Sequence, residues 1–236
     1  MSTTELSNNI DCLNLTADEI NFQIKNLMFN NFKNAILKNV YGKNGLLEGL
    51  KGNIKIEIIG DVSSDFGNNI NGPKIVVNGD INNNSACNVK SGKFTVYGSC
   101  INCFGNDAKA GEFYILENCG KNSFLNLGSS SKVVIGGFVN SGFAFDNNGG
   151  TIIVLNLKGG NIYIEDDWFK DYKSGHIYFR GEKEKINAAS HRFLIENVTA
   201  ADEDIYLPLI SEFARLFNYS LDEIKSKPFN RILMRF

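Results

Sequence analysis

The chain has 236 residues, of which 43% are hydrophobic and 21% are charged, the composition of an ordinary globular protein. Its 24 Lys and Arg residues nearly balance its 26 Asp and Glu residues, and no basic block stands out, so nucleic acid and anionic membranes are poor candidates for partners. The first residues lack the pattern of a signal peptide, and no stretch approaches the roughly 18 apolar residues of a membrane span, so we expect a cytoplasmic protein. Five unevenly spaced cysteines favour reduced thiols over a disulfide framework.

Residues 1–50 are predicted to form an N-terminal lead or cap. Thr16 and Glu19 form a capping-box pattern, which predicts the start of a helix. Apolar residues follow at helical spacing, at Ile20, Ile24, Leu27 and Met28. The segments "AILKNVYG" and "LLEGLKGNIKIEIIG" then indicate strands that lead into a repeat.

A repeat of about 19 residues occupies residues 51–181. Its first position is held by Lys55, Lys74, Lys93, Glu112, Lys132 and Thr151. The second position is always apolar, at Ile56, Ile75, Phe94, Phe113, Val133 and Ile152. The fourth position is also always apolar, at Ile58, Val77, Val96, Ile115, Ile135 and Val154. Residues two apart on an extended chain share a face, so each coil contributes one short strand whose inward side chains stack on those of its neighbours.

Glycines mark corners within each coil. They recur at the sixth position, at Gly60, Gly79, Gly98 and Gly137, with Glu117 as a departure. They recur again near the end of the unit, at Gly72, Gly92, Gly111 and the pair Gly149 and Gly150. Glycine and the abundant asparagines adopt positive φ most readily, so we predict a coil with several turns in each unit, a parallel β-solenoid.

The repeat loses its frame after Leu155 and recovers in "NIYIEDD" and "HIYFRG". Residues 182–236 are predicted to form a helical tail. Thr199 and Asp202 cap an amphipathic helix, in which Pro208 allows a kink or a later start, and Ser220 with Glu223 begins a second, short helix.

With these flanking segments, the repeat resembles the GXGXG domain, the β-helical C-terminal domain of the glutamate synthase large subunit, and especially its separately encoded archaeal-type form. The residues that carry the resemblance are "IKIEIIGDVSSDFGNNINGPKIVVNGD", the returns "GKFTVYG", "KVVIGG" and "GGTIIVLNL", and the closing "LISEFARLFNYSLDEIKSKPF". A similar domain forms one of the subunits of formylmethanofuran dehydrogenase, and the repeat alone does not separate the two. Corner glycines of the family are replaced at Glu117 and Asn156.

The resemblance implies a single right-handed parallel β-helix, mainly β, that is not itself catalytic. It would be a structural subunit of a glutamate-synthase-like oxidoreductase, which transfers the amide nitrogen of glutamine to 2-oxoglutarate. Its partners would be a glutaminase-like amidotransferase and an FMN-binding synthase subunit, and FMN and the iron–sulfur cluster would lie on those chains. A scaffold of formylmethanofuran-dehydrogenase type, or a diverged interaction module, is the alternative.

Few residues suggest chemistry on this chain, and we predict no catalytic, cofactor-binding or metal-binding residue. Cys100 and Cys103 form a CxxC motif, but Cys100 and Cys119 share a repeat column with Val62, Ile81 and Val139, which favours core packing over a metal site. His176 and His191 lie near no nucleophile motif, and the acidic run 165–167 is typical of a solvated turn.

Three other solenoid classes fit less well. An acyltransferase of the left-handed β-helix kind needs a six-residue sub-period and usually a histidine on the rod, and a calcium-binding solenoid needs tandem Gly-Gly-X-Gly-X-Asp, which is absent. A carbohydrate-cleaving right-handed β-helix is harder to exclude from the pattern alone, but it is normally secreted and carries acidic or basic clusters along one exposed groove. The irregular segment 156–175, with Trp168, Phe169 and Tyr172, is predicted to be an insertion whose exposed aromatics contact a partner.

Overall fold

The protein is mainly β and forms a parallel β-solenoid of about eight turns with a spacing of about 20 residues, which confirms the predicted fold class. The computed structural model describes residues 7–235. In chain order the elements are β1 Asn9–Asp11, α1 Ala17–Phe29, β2 Asn34–Lys38, β3 Lys55–Ile59, β4 Asn71–Asn78, β5 Ser91–Val96, β6 Ala110–Ile115, β7 Ser130–Ile135, β8 Thr151–Val154, β9 Ile162–Ile164, β10 His176–Arg180, a 3₁₀ turn Lys183–Lys185, β11 Ile186–Ala188, β12 Phe193–Asn197, α2 Ala200–Phe217, α3 Leu221–Lys225 and β13 Phe229–Met234.

One face of the solenoid is a long parallel sheet in which β1 to β8 pair in chain order and β10 follows β8. The register confirms the repeat frame, since Lys55 pairs with Lys74 and Lys74 with Lys93. Strand β13 then runs antiparallel to β10, and β12 antiparallel to β13, which closes the C-terminal end of the sheet. The parallel pairing begins at β1, so the ladder starts within the segment 1–50 and before the predicted β-helix range of 51–181.

The corners explain why asparagine is so frequent. In the coil that follows β3, every second residue has a left-handed backbone: Asp65, Gly67 and Asn69 have φ of 62°, 65° and 61°. The same alternation recurs in the other coils, at 45, 47 and 49, 84, 86 and 88, 103, 105 and 107, 122, 124 and 126, and 142, 144 and 146. The backbone N–H groups of Asp65 and Asn69 donate to carbonyls of the next coil, and that of Gly67 donates to a carbonyl of the previous coil. These corners are therefore hydrogen-bonded to both neighbouring coils without β geometry. Glycine, asparagine and aspartate adopt this conformation with the least strain.

Three of the sixth-position glycines, Gly79, Gly98 and Gly137, are needed for a different reason, whereas Gly60 has a positive φ (106°) and open space around it. At Gly79 a Cβ would lie 2.5 Å from the carbonyl carbon of Gly60, so the backbones of adjacent coils approach too closely for a side chain.

Aromatic rings fill the interior along the axis. The twelfth position alternates large and small, at Phe66, Ser85, Phe104, Ser123 and Phe143. Ser85 and Ser123 accept hydrogen bonds through Oγ from the amides of Phe66 (3.2 Å) and Phe104 (3.4 Å). The alternation therefore fits bulky rings into coils about 4.8 Å apart and satisfies buried amides.

The helices predicted on the two sides of the repeat are present, with their predicted capping boxes. Helix α1 carries the capping box of Thr16 and Glu19 and buries Ile20, Ile24 and Leu27 in the solenoid core. Helix α2 carries the box of Thr199 and Asp202 and continues through Pro208, so it does not start later. Helix α3 is fixed by Arg180, whose buried guanidinium donates to the carbonyls of Ile224 (2.5 Å) and Glu223 (3.1 Å) near the helix C-terminus. Within the described residues, no helix is both long and apolar enough to cross a membrane.

Candidate interaction groove

Helix α2 packs along the outer face of the long sheet and covers only part of it. The third position of each coil points outward, and in β6, β7, β8 and β10 these residues are buried in one cluster with α2: Tyr114, Val134, Ile153 and Tyr178. We call the outer face of these four strands the covered half. Gly136 lets the helix come close, because a Cβ there would lie 3.0 Å from the Phe213 ring. The Tyr178 hydroxyl donates to Asp202 Oδ1 (3.0 Å) at the other end of the helix.

The outer face of β3 and β4 is not covered by the helix, and we call it the uncovered half. Strand β5 lies at the boundary, since Thr95 is 3% exposed and Lys93 and Tyr97 contact the end of α2. The third-position residues of the uncovered half are Glu57 and Val76, and Thr95 follows at the boundary, a more polar set than in the covered half. Helix α2 ends here because Asn218 adopts a left-handed backbone (φ 57°) and turns the chain away. The end of α2 and the uncovered half enclose a groove of about 410 Å³. Charged and aromatic residues line it, among them Lys55, Lys74, Lys93, Tyr97, Glu212 and Arg215.

An ion-pair network joins the last turns of α2 to the sheet. The Arg215 guanidinium donates to Glu212 (2.7 and 2.8 Å), and Lys93 also donates to Glu212. The hydrogen bonds from Arg215, reinforced by Lys93, lower the pKa of Glu212 to about 2, although burial opposes the shift. Lys93 also lies 4.6 Å from the centre of the Tyr114 ring. This network fixes one wall of the groove.

The Tyr97 hydroxyl strengthens the same wall by donating to the carbonyl of Leu216 (2.9 Å), and its ring packs edge-on against Phe217 at 5.1 Å. The Tyr97 side chain is nevertheless 40% exposed, so an aromatic surface remains open beside the charged groups.

Two cations of the groove have no anionic partner among the described residues. Lys55 and Lys74 are exposed, lie in paired register on β3 and β4, and take part in none of the ion pairs of residues 7–235. The nearby Glu57 carboxylate instead accepts a hydrogen bond from Asn78 Nδ2 (3.1 Å). The lining residues comprise four cations and two carboxylates, so the groove favours an anionic ligand surface.

The structure confirms the ladder interpretation of Cys100. Bridges join Val62, Ile81, Cys100, Cys119 and Val139 in succession, as the repeat column predicted. Burial raises the pKa of the Cys100 thiol well above its ordinary value, which disfavours the reactive thiolate. Cys103 is half-buried and holds a left-handed corner (φ 54°). Among residues 7–235, no group of three or more His, Cys, Asp or Glu side chains is placed to hold a metal ion.

The other candidate residues lie apart from the groove. His176 is exposed at the start of β10, and His191 is exposed before β12. In the acidic turn, Asp167 Oδ2 accepts from Ser141 Oγ (2.7 Å) and the Gly142 amide (2.9 Å), so one of the three acids ties the turn to the previous coil.

The prediction that Trp168, Phe169 and Tyr172 form an exposed contact surface is wrong. Trp168 is 4% exposed and Phe169 is 1% exposed, and Tyr172 packs against the core. The rings of Trp168 and Phe169 lie 6.1 and 5.7 Å from that of Phe143 and continue the aromatic interior into the last coils. They fill the C-terminal part of the core because the coil that carries them closes over Phe143.

Sequence reasoning missed the groove. The change in third-position residues from Glu57, Val76 and Thr95 to Tyr114 and Val134 was a usable signal, because it marks where the outer face becomes apolar. The other wall comes from α2, which lies more than a hundred residues later in the chain.

No family model, no curated protein and no solved structure matches this chain.

Proposed function

We propose that this chain is a structural subunit that docks a partner chain on the uncovered half of its sheet and holds it at a fixed position. The observation that carries the proposal is that one continuous outer sheet face is covered by α2 over β6, β7, β8 and β10 and open over β3 and β4. The open part adjoins an existing helix–sheet interface, has an apolar floor at Val76, and carries Lys55 and Lys74, which are unpaired within residues 7–235.

The solenoid supports such a role mechanically. Each coil is hydrogen-bonded to both neighbours through the sheet and through the left-handed corners. The coils therefore resist moving relative to one another when a partner binds to one of them. A partner bound at the groove would therefore keep a defined orientation relative to both ends.

For the partner, we propose an acidic surface of an FMN-binding synthase subunit, in a complex that also contains a glutaminase-like amidotransferase and assimilates nitrogen into glutamate. This choice rests on the resemblance of the repeat to the GXGXG domain, and the groove adds that the docking surface should be acidic. FMN and an iron–sulfur cluster would belong to the partner chains.

The test is reconstitution from purified chains. This protein is mixed with the FMN-binding synthase chain and the amidotransferase chain of the same organism, and the dissociation constant is measured at two salt concentrations. We expect a stable complex that weakens with salt, because the rim contacts are ionic. The double variant Lys55→Glu/Lys74→Glu should bind at least about tenfold more weakly.

The matched control is Lys109→Glu/Lys121→Glu, which reverses two exposed charges outside the groove. Both double variants should change the free energy of unfolding by less than about 0.5 kcal/mol per site, since none of the four lysines is buried. Equal binding by the two variants would exclude the groove as the docking surface. Absence of any complex with either chain would remove the glutamate-synthase assignment.

A further inference from the structure

A second cavity lies on another side of the rod, where the cysteine-bearing ladder breaks. The bridges that run from Val62 to Val139 do not continue to the next coil within the described residues. In that coil the chain detours through a loop that contains Asn156, Gly159 and Gly160, all with positive φ. Strand β9 then begins at Ile162 and pairs only with β11. The detour leaves a cavity of about 240 Å³ between Val139 and Ile162.

Four aromatic side chains line this cavity: Phe138, Tyr163, Trp168 and Phe179. Phe138 and Tyr163 form an open rim, since they are 56% and 59% exposed. Trp168 and Phe179 form the inner wall and stack nearly in parallel, with ring centres 6.3 Å apart. Aromatic faces carry negative electrostatic potential and attract cations.

The inner wall is held rigidly. The Trp168 carbonyl accepts a hydrogen bond from Arg192 (2.7 Å), and the Trp168 indole packs edge-on against Phe143 at 6.1 Å. The Trp168 indole N–H is buried and has no hydrogen-bond partner among the described residues. A fixed wall reduces the entropy that a ligand would lose on binding.

Glu165 is the one charged residue among those that line the cavity. It is half-buried, and its carboxylate forms neither an ion pair nor a side-chain hydrogen bond within residues 7–235. A half-buried carboxylate without a partner favours a positively charged ligand.

We propose that this cavity binds an alkylated ammonium group, with the cation held against Tyr163, Trp168 and the Glu165 carboxylate. The volume lies below the roughly 300–1,000 Å³ of sites for larger ligands, and this limits the occupant to a small head group. A trimethylammonium group matches the aromatic walls, since its charge is spread over methyl groups that cannot donate strong hydrogen bonds. This site is independent of the groove and of the proposed docking role.

Trp168 is the single tryptophan of the chain, so its fluorescence reports directly on this cavity. The full-length protein is titrated with choline and with 3,3-dimethyl-1-butanol, the neutral carbon isostere of choline. We expect a saturable change with choline and a dissociation constant at least about tenfold higher for the isostere. Equal affinities would show a merely apolar pocket, and the absence of a saturable signal with choline or trimethyllysine would also overturn the proposal.

The Glu165→Gln variant should weaken choline binding about tenfold and leave that of the isostere unchanged, and Tyr163→Ala should weaken choline binding as well. Glu182→Gln is the matched control, because Glu182 is exposed and does not line the cavity. A loss of choline binding in the control would contradict the assignment of Glu165.

Two sources of the cation are separated by comparing choline with an acetylated trimethyllysine amide. Tighter binding of choline would indicate a free metabolite, and tighter binding of trimethyllysine would indicate a modified protein tail. Either result supports the proposal. Unmodified lysine that binds as tightly as trimethyllysine would overturn it, because charge alone would then explain recognition.

Discussion

The covered and uncovered halves of the outer sheet face share one backbone ladder and differ in what lies on top. In the covered half, Tyr114 and Val134 are 1% and 0% exposed beneath α2. In the uncovered half, Val76 occupies the same repeat position but is only half-buried, with exposed lysines beside it. The inward positions are apolar in both halves, so the interior alone does not determine which part of the face receives a helix.

The difference shows that a repeat protein specifies its core and its outer contacts by separate sets of residues. The second and fourth positions of each coil stabilise the stack, whereas the third position determines what binds outside. The contacts of α2 change near its C-terminal end. There the sheet becomes polar, and Glu212 forms ion pairs with Lys93 and Arg215. The uncovered half is therefore too polar to bind the apolar face of this chain's own helix. Its polarity suits the surface of a separate partner better.

The largest expected effect comes from removing the centre of the helix–sheet contact. Phe213 is 0% exposed and lies over Gly136, so Phe213→Ala should lower the free energy of unfolding by about 3–5 kcal/mol. For a chain of this size the midpoint of thermal unfolding should fall by roughly 10 °C. Calorimetry or urea denaturation measures both quantities. A loss under about 1 kcal/mol would mean that α2 is only loosely held, and the distinction between the two halves would then disappear.

A matched pair of valines tests the comparison at a single repeat position. Val134→Ala removes buried methyl groups beneath α2 and should lower the free energy of unfolding by about 2 kcal/mol. Val76→Ala removes the same groups from a half-buried site and should lower it by less than about 1 kcal/mol. Equal losses measured by urea denaturation would show that Val76 is covered in solution, for example by a second copy of the chain. If the groove is the docking surface, adding the partner should bring the loss of unfolding free energy in Val76→Ala closer to that in Val134→Ala.

The sequence was sufficient to predict the ladder because stacking imposes the same residue type at each coil. Ile56, Ile75 and Phe94 could be aligned by counting alone. Counting fails after Leu155, where the loop around Gly159 and Gly160 changes the coil length and hides the register that buries Trp168 and Phe169. The groove could not be predicted from the repeat spacing either, because Lys93 and Glu212 lie 119 residues apart and come into contact only once α2 has packed on the sheet.

The smallest expected effect is the pH dependence of the ion-pair network at the boundary between the halves. The pKa of Glu212 falls from an ordinary 4.5 to about 2 in the folded protein, so the folded state binds fewer protons than the unfolded state between these values. The stabilisation from Glu212 is therefore fully present above about pH 4.5 and is lost as the pH falls towards 2. We expect Glu212→Gln to be less stable than the natural protein at pH 7, with a gap that closes towards pH 2 in urea denaturation. Arg215→Gln should weaken the same acid dependence, because Arg215 supplies the largest part of the shift. If the difference in unfolding free energy between Glu212→Gln and the natural protein stayed constant from pH 4.5 to about pH 2, the acid-sensitive contact would not involve Glu212. The ion pairs at the end of α2 would then contribute nothing to stability.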